Sequence, residues 1–210
     1  MLNCPLCKTY QIETYHQDDK RTYLNCRQCQ LVFVPPQYHL SKEAEKERYD
    51  LHKNSPDDPE YRKFLNRLFE PVNKIIPAGS AGLDFGSGPG PTLSLMFSEA
   101  GHHMQIYDCF YANAPSLLSG QYDFITASEV VEHLYAPGFE LNRLWSCLKK
   151  YGILAVMTKR IQDSKAFKNW HYTRDPTHVC FFSTGTFQWL GRLWQAEVEF
   201  IGDDVVLMKK

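Results

Sequence analysis

One stretch of this 210-residue chain restricts its fold more than any other. An apolar strand, Ala81-Gly-Leu-Asp-Phe85, runs straight into Gly86-Ser-Gly88-Pro-Gly90, and that loop opens a helix over 91–100. Glycines in such a loop let the backbone approach a ligand where a Cβ would clash, and the helix N-terminus offers unpaired N–H groups. Pro91 suits the first turn of that helix. A second apolar strand, His103-Met-Gln-Ile-Tyr107, ends in Asp108, eighteen residues beyond Gly90, where a carboxylate can accept both hydroxyls of a ribose. Glycine spacing alone is a weak signal. Strand, glycine loop, helix, strand and terminal acid together describe a nucleotide-cradling unit of a parallel α/β sheet.

The rest of the composition leaves room for that core and for one small appendage. At about 150 residues per domain, the length corresponds to between one and two domains. Apolar residues make up 43% of the chain and charged residues 22%, with net charge −1, so disordered and low-complexity readings are excluded. The longest apolar runs, such as Tyr151–Met157, fall far short of the ~20 residues that span a bilayer. The start, Met-Leu-Asn-Cys-Pro-Leu-Cys, has neither the basic end nor the apolar stretch of a secretory signal. The expected location is the cytoplasm, with reduced thiols and no membrane partner. Charge is uneven in one place only. Between Arg143 and Arg174, eight Lys/Arg stand against the single acid Asp163, a balance of +7, whereas residues 1–36 carry only +1. That low charge disfavours nucleic acid as a partner of the N-terminal segment.

Four of the seven cysteines fall as Cys4-x2-Cys7 and Cys26-x2-Cys29, eighteen residues apart. This is the paired-knuckle spacing of a tetrahedral zinc ribbon, with the intervening chain long enough for a hairpin. Four thiolates leave no open coordination position, so the metal is structural. A reduced redox pair and a rubredoxin-type iron site are the alternatives for these cysteines. A segment of about 35 residues cannot bury enough apolar surface to fold alone, so the metal supplies much of its folding free energy. Cys109, Cys147 and Cys180 have no paired spacing and read as buried thiols.

Ser41 caps an alternating-charge helix that runs to Asp50, Asn54-Ser-Pro-Asp-Asp-Pro59 breaks it, and apolar residues from Tyr61 to Ile76 recur at three and four, an amphipathic helix packed on something larger. The expected organisation is a zinc ribbon over 1–36, a helical linker over 37–79 and an α/β domain over 80–210.

With Asp84 two residues before the first glycine and Asp108 ending the second strand, the chain resembles a class I S-adenosylmethionine-dependent methyltransferase carrying an N-terminal zinc ribbon. Tyr122–Leu134 resembles the fourth strand and following turn of that family, Gly152–Thr158 the fifth strand, and Asp175–Ser183 a stretch common in its ribbon-bearing members. The resemblance implies a doubly wound, mostly parallel Rossmann-like sheet. Only thirteen residues separate Asp108 from Tyr122, so the third strand is reduced or missing. That leaves the second strand as an edge, which the ribbon or the helices over 41–76 are expected to cover. Ala196–Ile201, the Gly202-Asp203 turn and Asp204–Met208 read as a C-terminal antiparallel hairpin.

The resemblance further implies S-adenosylmethionine as cofactor, held by Asp84, Gly86, Ser87, Gly88, Gly90 and Asp108, with Glu129 and Val130 lining the donor pocket. Glu132 and His133, in the next turn, read as structural. His178, in the histidine- and aromatic-rich segment 170–178, is the candidate general base; a loop-fixing hydrogen bond is the alternative. The remaining histidines, His16, His39, His52, His102, His103 and His171, read as structural or exposed. Lys149 and Lys150 read as the end of a helix. Lys159, Arg160, Lys165, Lys168 and Arg174 are expected to rim the pocket. The expected reaction is methyl transfer to a small or medium-sized, anionic acceptor. The competing readings are an RNA methyltransferase gripping RNA with its ribbon, and a non-catalytic adaptor that keeps the fold.

Overall fold

The computed structural model describes residues 2–51 and 54–210; His52 lies outside the described residues. The N-terminal segment forms two matching knuckles. Lys8 N–H donates to the Cys4 carbonyl and Gln30 N–H to the Cys26 carbonyl, at 3.0 and 2.8 Å, and both Lys8 and Gln30 sit in the left-handed region that closes each turn. The knuckles bring Cys4 Sγ to 3.5 Å from Cys29 Sγ, and Cys7 Sγ to 3.4 Å from Cys26 Sγ. These separations far exceed the ~2 Å of a disulfide bond. They approach the roughly 3.8 Å edge of a tetrahedron built on zinc–sulfur bonds of about 2.3 Å. All four sulfurs lie within 4.8 Å of one another, so the donor set fits a structural zinc ion.

Strands β1 (Ile12–Gln17) and β2 (Thr22–Cys26) form the hairpin between the knuckles, and β3 (Val32–Phe33) pairs with β2. The outer edge of β3 is taken by a strand from far along the chain, β8 (Cys180–Phe181), completing a four-stranded sheet. The boundary drawn at residue 36 therefore cuts a continuous sheet. Tyr23, Phe33, Phe167 and Phe181 are all at most 2% exposed and share one apolar core with the α/β domain. Arg21 reinforces the junction: its guanidinium donates to the carbonyls of Thr173, Asp175, Pro176 and His178.

After α1 (Lys42–Tyr49, capped by Ser41) and α2 (Pro59–Ile75, capped by Asp58), the chain enters a six-stranded sheet. Its strands are β4 (Ala81–Phe85), β5 (His103–Tyr107), β6 (Tyr122–Ser128), β7 (Leu148–Met157), β9 (Glu197–Ile201) and β10 (Val205–Lys209). The order is β5-β4-β6-β7-β10-β9, parallel from β5 to β7 and antiparallel across β10. Side chains on a strand alternate between faces, and here both faces are apolar. Phe124, Ile153, Ala155, Met157 and Leu207 pack under α2 and α3 (Thr92–Glu99). Their neighbours Ile125, Leu154, Val156 and Val206 pack under α4 (Pro137–Ser146) and α5 (Thr184–Trp194). Burial on both faces explains why the central strands read as continuous apolar runs.

Between Asp108 and Tyr122 the chain makes only an Asp108–Ala112 bridge and one 3-10 turn, so the third strand is indeed lost. Two expectations about its surroundings fail. Neither the ribbon nor the linker helices take the open edge of β5, where His103 and Gln105 remain exposed. The free edge of β3 pairs with β8 instead, and the apolar stripe Leu65, Leu68 and Val72 of α2 faces the sheet beside α3. Lys149 and Lys150 do not end a helix: α4 stops at Ser146, and both lysines lie in β7 ahead of Tyr151, whose positive φ accompanies a break in the β6–β7 register. Lys149 pairs with Asp123 at 2.9 Å. Cys147 and Cys180 are buried as expected, whereas Cys109 is exposed. Among the described residues, no helix is long and apolar enough to cross a membrane.

Elemental analysis should find one zinc per chain held by Cys4, Cys7, Cys26 and Cys29, lost on Cys4→Ser. Stripping it with a chelator should release β8, read as lost hydrogen-exchange protection at the Val34 amide, which bonds the Val179 carbonyl at 2.9 Å, while the β6 and β7 amides stay protected. Unchanged protection at Val34 would show that the ribbon holds without its metal.

Candidate active site

The carboxyl ends of β4, β5, β6 and β7 open on one side of the sheet, where open α/β sheets bind ligands. The glycine loop leaves β4 with Gly86 N–H donating to the Tyr107 carbonyl at 2.7 Å. Gly86 has φ +77, and a Cβ there would lie 2.3 Å from the Val130 side chain; any other residue would be strained and would also displace the turn after β6. Asp108 ties this loop to its neighbour. One carboxylate oxygen accepts from Gly88 N–H at 2.9 Å, and the other accepts from the amides of Phe110 and Tyr111 at 2.8 and 3.1 Å. The loops after β4 and β5 are thus held against each other beside the N-terminus of α3.

The linker covers this region. Asp50, the residue capping the C-terminus of α1, accepts from the Tyr111 hydroxyl at 2.6 Å, and buried Glu45 accepts from the Tyr135 hydroxyl at 3.0 Å, so α1 spans the loops that follow β5 and β6. A Cβ at Gly90 would lie 1.8 Å from the Asn54 carbonyl, which places the linker directly on the glycine loop.

Beneath the loop, Asp84 is buried on the α3 face of β4 and accepts from the Thr126 hydroxyl at 2.7 Å. Burial, with the charge of Asp108 adding to it, pushes its carboxyl up to about 6. A second group of buried acids lies at the ends of β6 and β7. Glu129 adopts φ +52 at the end of β6, and its carboxyl is pushed up to about 7, first by burial and then by the charge of Asp204. Glu132, with no exposed surface, is pushed up to about 8 by burial and by Glu129. The Tyr172 hydroxyl sits among them: it donates to Glu132, lies 3.1 Å from the Thr158 hydroxyl and 3.4 Å from Glu129. Three buried side-chain oxygens of this side of the sheet, Ser87 Oγ, Glu129 Oε1 and Glu132 Oε2, have no partner among the described residues. Buried polar atoms are ordinarily satisfied, so these are places where a bound group would complete the bonding.

His178 is 8% exposed. Its Nδ1 lies 2.8 Å from the Tyr172 carbonyl; a carbonyl only accepts, so Nδ1 carries the proton. Its ring packs on Tyr172 at 4.1 Å and on His133 at 4.7 Å between centroids. Burial pushes it down to about 4. The imidazole is therefore neutral near pH 7, and its Nδ1–H fixes the loop through the Tyr172 carbonyl. The basic rim is also reduced. Arg160 is buried, with its guanidinium donating to the carbonyls of Val205 and Gly202 at 3.0 and 2.6 Å and lying over the Phe200 ring. Those carbonyls hold it at the β9–β10 turn. Lys159 reaches His171 at 2.9 Å, and Lys165, Lys168 and Arg174 are exposed. Tyr172, Thr158 and Glu132 meet only in three dimensions; the concentration of aromatic and titratable residues over 170–178 is the signal the sequence carries for this cluster.

The sheet order, glycine loop and terminal acid define a methyltransferase fold of the S-adenosylmethionine-dependent class. The chain belongs to the methyltransferase-domain family, whose profile matches residues 52–199, more than half of its length. No curated protein sequence matches it. Among solved structures it is similar to an S-adenosylmethionine-dependent methyltransferase from Archaeoglobus fulgidus, with 19% identity over 73% of this chain and 100% of that one, TM-score 0.51. It is also similar to a Burkholderia thailandensis 1,6-didemethyltoxoflavin-N1-methyltransferase, solved with 1,6-didemethyltoxoflavin and S-adenosylhomocysteine. Identity there is 14%, covering 94% of this chain and 97% of that one, TM-score 0.51. A Burkholderia thailandensis O-methyltransferase family protein matches at 12% identity over 79% of this chain and 62% of that one, TM-score 0.53.

The state of Asp84 is testable apart from any ligand. Because its folded value of about 6 lies above the ordinary 3.8, the fold favours the protonated acid, and stability is lost as pH rises through that window. Asp84→Asn removes this loss. In urea titrations the variant should gain about 2–3 kcal/mol on wild type between the two ends of the window. A difference between the two proteins that does not change with pH would place an ionised carboxylate there instead.

Proposed function

We propose that the protein transfers a methyl group from S-adenosylmethionine to a small or medium-sized acceptor bound beside the segment 170–178. In this reading the backbone of Gly86, Ser87, Gly88 and Gly90 cradles the donor at the N-terminus of α3, and Asp108 accepts from the ribose hydroxyls. Glu129 and Val130 line the donor pocket, and Asp84 supports the loop from below. The observation that carries the reading is the Asp108 carboxylate bonded to Gly88 N–H, which sets the acid and the loop around one space. Each carboxylate oxygen has two lone pairs, so Asp108 can hold its loop amides and a ribose together. The unpartnered Ser87 Oγ and Glu129 Oε1 supply further bonding positions in the same region.

The donor's sulfonium supplies a methyl group already activated for transfer, so the chain has to align the acceptor, exclude water and hold it still. Helix α1 and the Asn54 segment cover the loops from one side. Tyr172 and His178, fixed to each other and to the β6 turn, form the wall on the acceptor side. A small-molecule acceptor is favoured over RNA because the ribbon carries a net charge of only +1 and both of its arginines are engaged. Arg21 binds core carbonyls and Arg27 pairs with Glu13 at 2.6 Å. The Burkholderia N1-methyltransferase, which holds a small heterocycle and S-adenosylhomocysteine, supports the same class of acceptor on this fold. An anionic acceptor now rests on Lys159, Lys165, Lys168 and Arg174 alone. A thiolate metal site and unpaired cysteines suit the reducing cytoplasm.

Calorimetric titration with S-adenosylhomocysteine should show binding to the chain. Asp108→Ala should weaken it by about 1–3 kcal/mol, the cost of unpaired hydrogen-bonding groups. Binding of a nicotinamide dinucleotide in preference to S-adenosylhomocysteine would overturn the assignment. Mass spectrometry of metabolite extract incubated with the protein and isotopically labelled donor should reveal a labelled small molecule. Label appearing only in RNA would favour the RNA reading, and donor binding with no labelled product in either pool the adaptor.

A further inference from the structure

We propose that Glu132, His133 and His178 form a second metal site, distinct from the four-cysteine ribbon, that takes a first-row divalent transition-metal cation. One ligand atom from each of the three residues lies within 4.8 Å of the others. Two imidazoles and one carboxylate are the donor set that nitrogen- and oxygen-preferring metals of that row bind, with coordination positions left over for water or a substrate oxygen.

The surroundings are those of a metal site's outer shell. Metal-binding histidines characteristically donate their second ring N–H to a carbonyl or carboxylate, which fixes tautomer and orientation. Both histidines do so here. His178 Nδ1 lies 2.8 Å from the Tyr172 carbonyl, and His133 Nδ1 lies 3.2 Å from the Thr177 carbonyl. In each ring the proton must therefore sit on Nδ1, so a metal in this site would be ligated by Nε2. Glu132 receives the Tyr172 hydroxyl on Oε1, while its Oε2, in a residue with no exposed surface, has no partner among the described residues. A buried carboxylate oxygen left without a hydrogen bond is costly unless a cation or proton meets it. A metal ion held by that oxygen and the two imidazoles would satisfy it.

Backbone bonds hold the three ligands in register although they come from separate segments. Glu132 and His133 lie on a 3-10 turn after β6, and His178 lies on the loop before β8. Val179 N–H donates to the Glu132 carbonyl at 2.9 Å, and Arg21 of the ribbon donates to the His178 carbonyl at 3.0 Å. The ribbon thus fixes one ligand of the second site, and a metal here would join the turn after β6 to the wall beside the acceptor. Metal binding itself does not rest on the methyltransferase reading; only its consequence for the acceptor does.

The test uses the full chain with its ribbon zinc in place. Manganese(II) is titrated in and followed by loss of the free-ion electron paramagnetic resonance signal, and cobalt(II) is followed by its visible absorption. The expected result is one further ion per chain, with cobalt bands lacking the sulfur-to-metal charge transfer that exchange into the ribbon would give. Glu132→Gln and His178→Gln should each raise the dissociation constant at least about tenfold, while ribbon zinc content and melting temperature report that the variants are folded. Should either variant fail to fold, His133→Gln, at the less buried ligand, gives the same readout. Absence of manganese and cobalt binding to the wild-type chain up to millimolar concentration would overturn the proposal, as would equal binding by wild type and folded variants. S-adenosylhomocysteine binding is measured separately on the wild type, so failure of the donor site and failure of this one are told apart.

Discussion

Arg21 is the contact through which the two parts of the molecule become one. Its guanidinium, 8% exposed, donates to the carbonyls of Thr173, Asp175, Pro176 and His178, of which only that of Asp175 has a backbone partner as well. An unpaired buried carbonyl costs about 1–3 kcal/mol, so this one cation makes a dense segment of irregular backbone affordable. The hairpin that carries Arg21 is anchored at its base by the four cysteines and, through β3, by β8. The chain of contacts runs from cysteine spacing to knuckle, from knuckle to hairpin, from hairpin to Arg21, and from Arg21 to the loop over 173–178.

The same logic governs the glycine loop. Gly86 can turn with positive φ against Val130, and Asp108 gathers the amides of Gly88, Phe110 and Tyr111 into one cluster. Loss of the third strand makes that cluster more important, since no further strand braces the loop after β5. Helix α1 replaces part of that bracing by reaching Tyr111 with Asp50 and Tyr135 with Glu45. The helical linker is therefore part of the site's cover rather than a spacer between ribbon and core.

Glu129, Glu132 and Tyr172 concentrate acid and hydroxyl groups in a place with little water. Burial raises both carboxyls toward neutrality and leaves oxygens unpartnered, an arrangement that folding alone does not favour. The group lies at the ends of β6 and β7, beside the fixed ring of His178. Arg160 illustrates the opposite outcome, a cation just beyond β7 that is taken up by the carbonyls of Gly202 and Val205.

Most of the architecture was legible in the sequence because it is encoded over short separations. The Cys-x2-Cys knuckles, the glycine loop between two apolar strands, the Ser41 cap and the terminal hairpin each depend on residues within a few positions of one another, and each formed where the local pattern placed it. The missing third strand was legible too, as a simple shortage of residues between Asp108 and Tyr122. What the tertiary structure decided depends on contacts across long separations. β3 pairs with β8, and Arg21 bonds carbonyls more than 150 residues away. Likewise Glu132 meets Tyr172 forty residues on, and Arg160 turns to Gly202. No periodicity reports such partners, because local propensity sets the conformation of a segment while the choice of neighbour is made by burial and hydrogen-bond satisfaction across the whole fold.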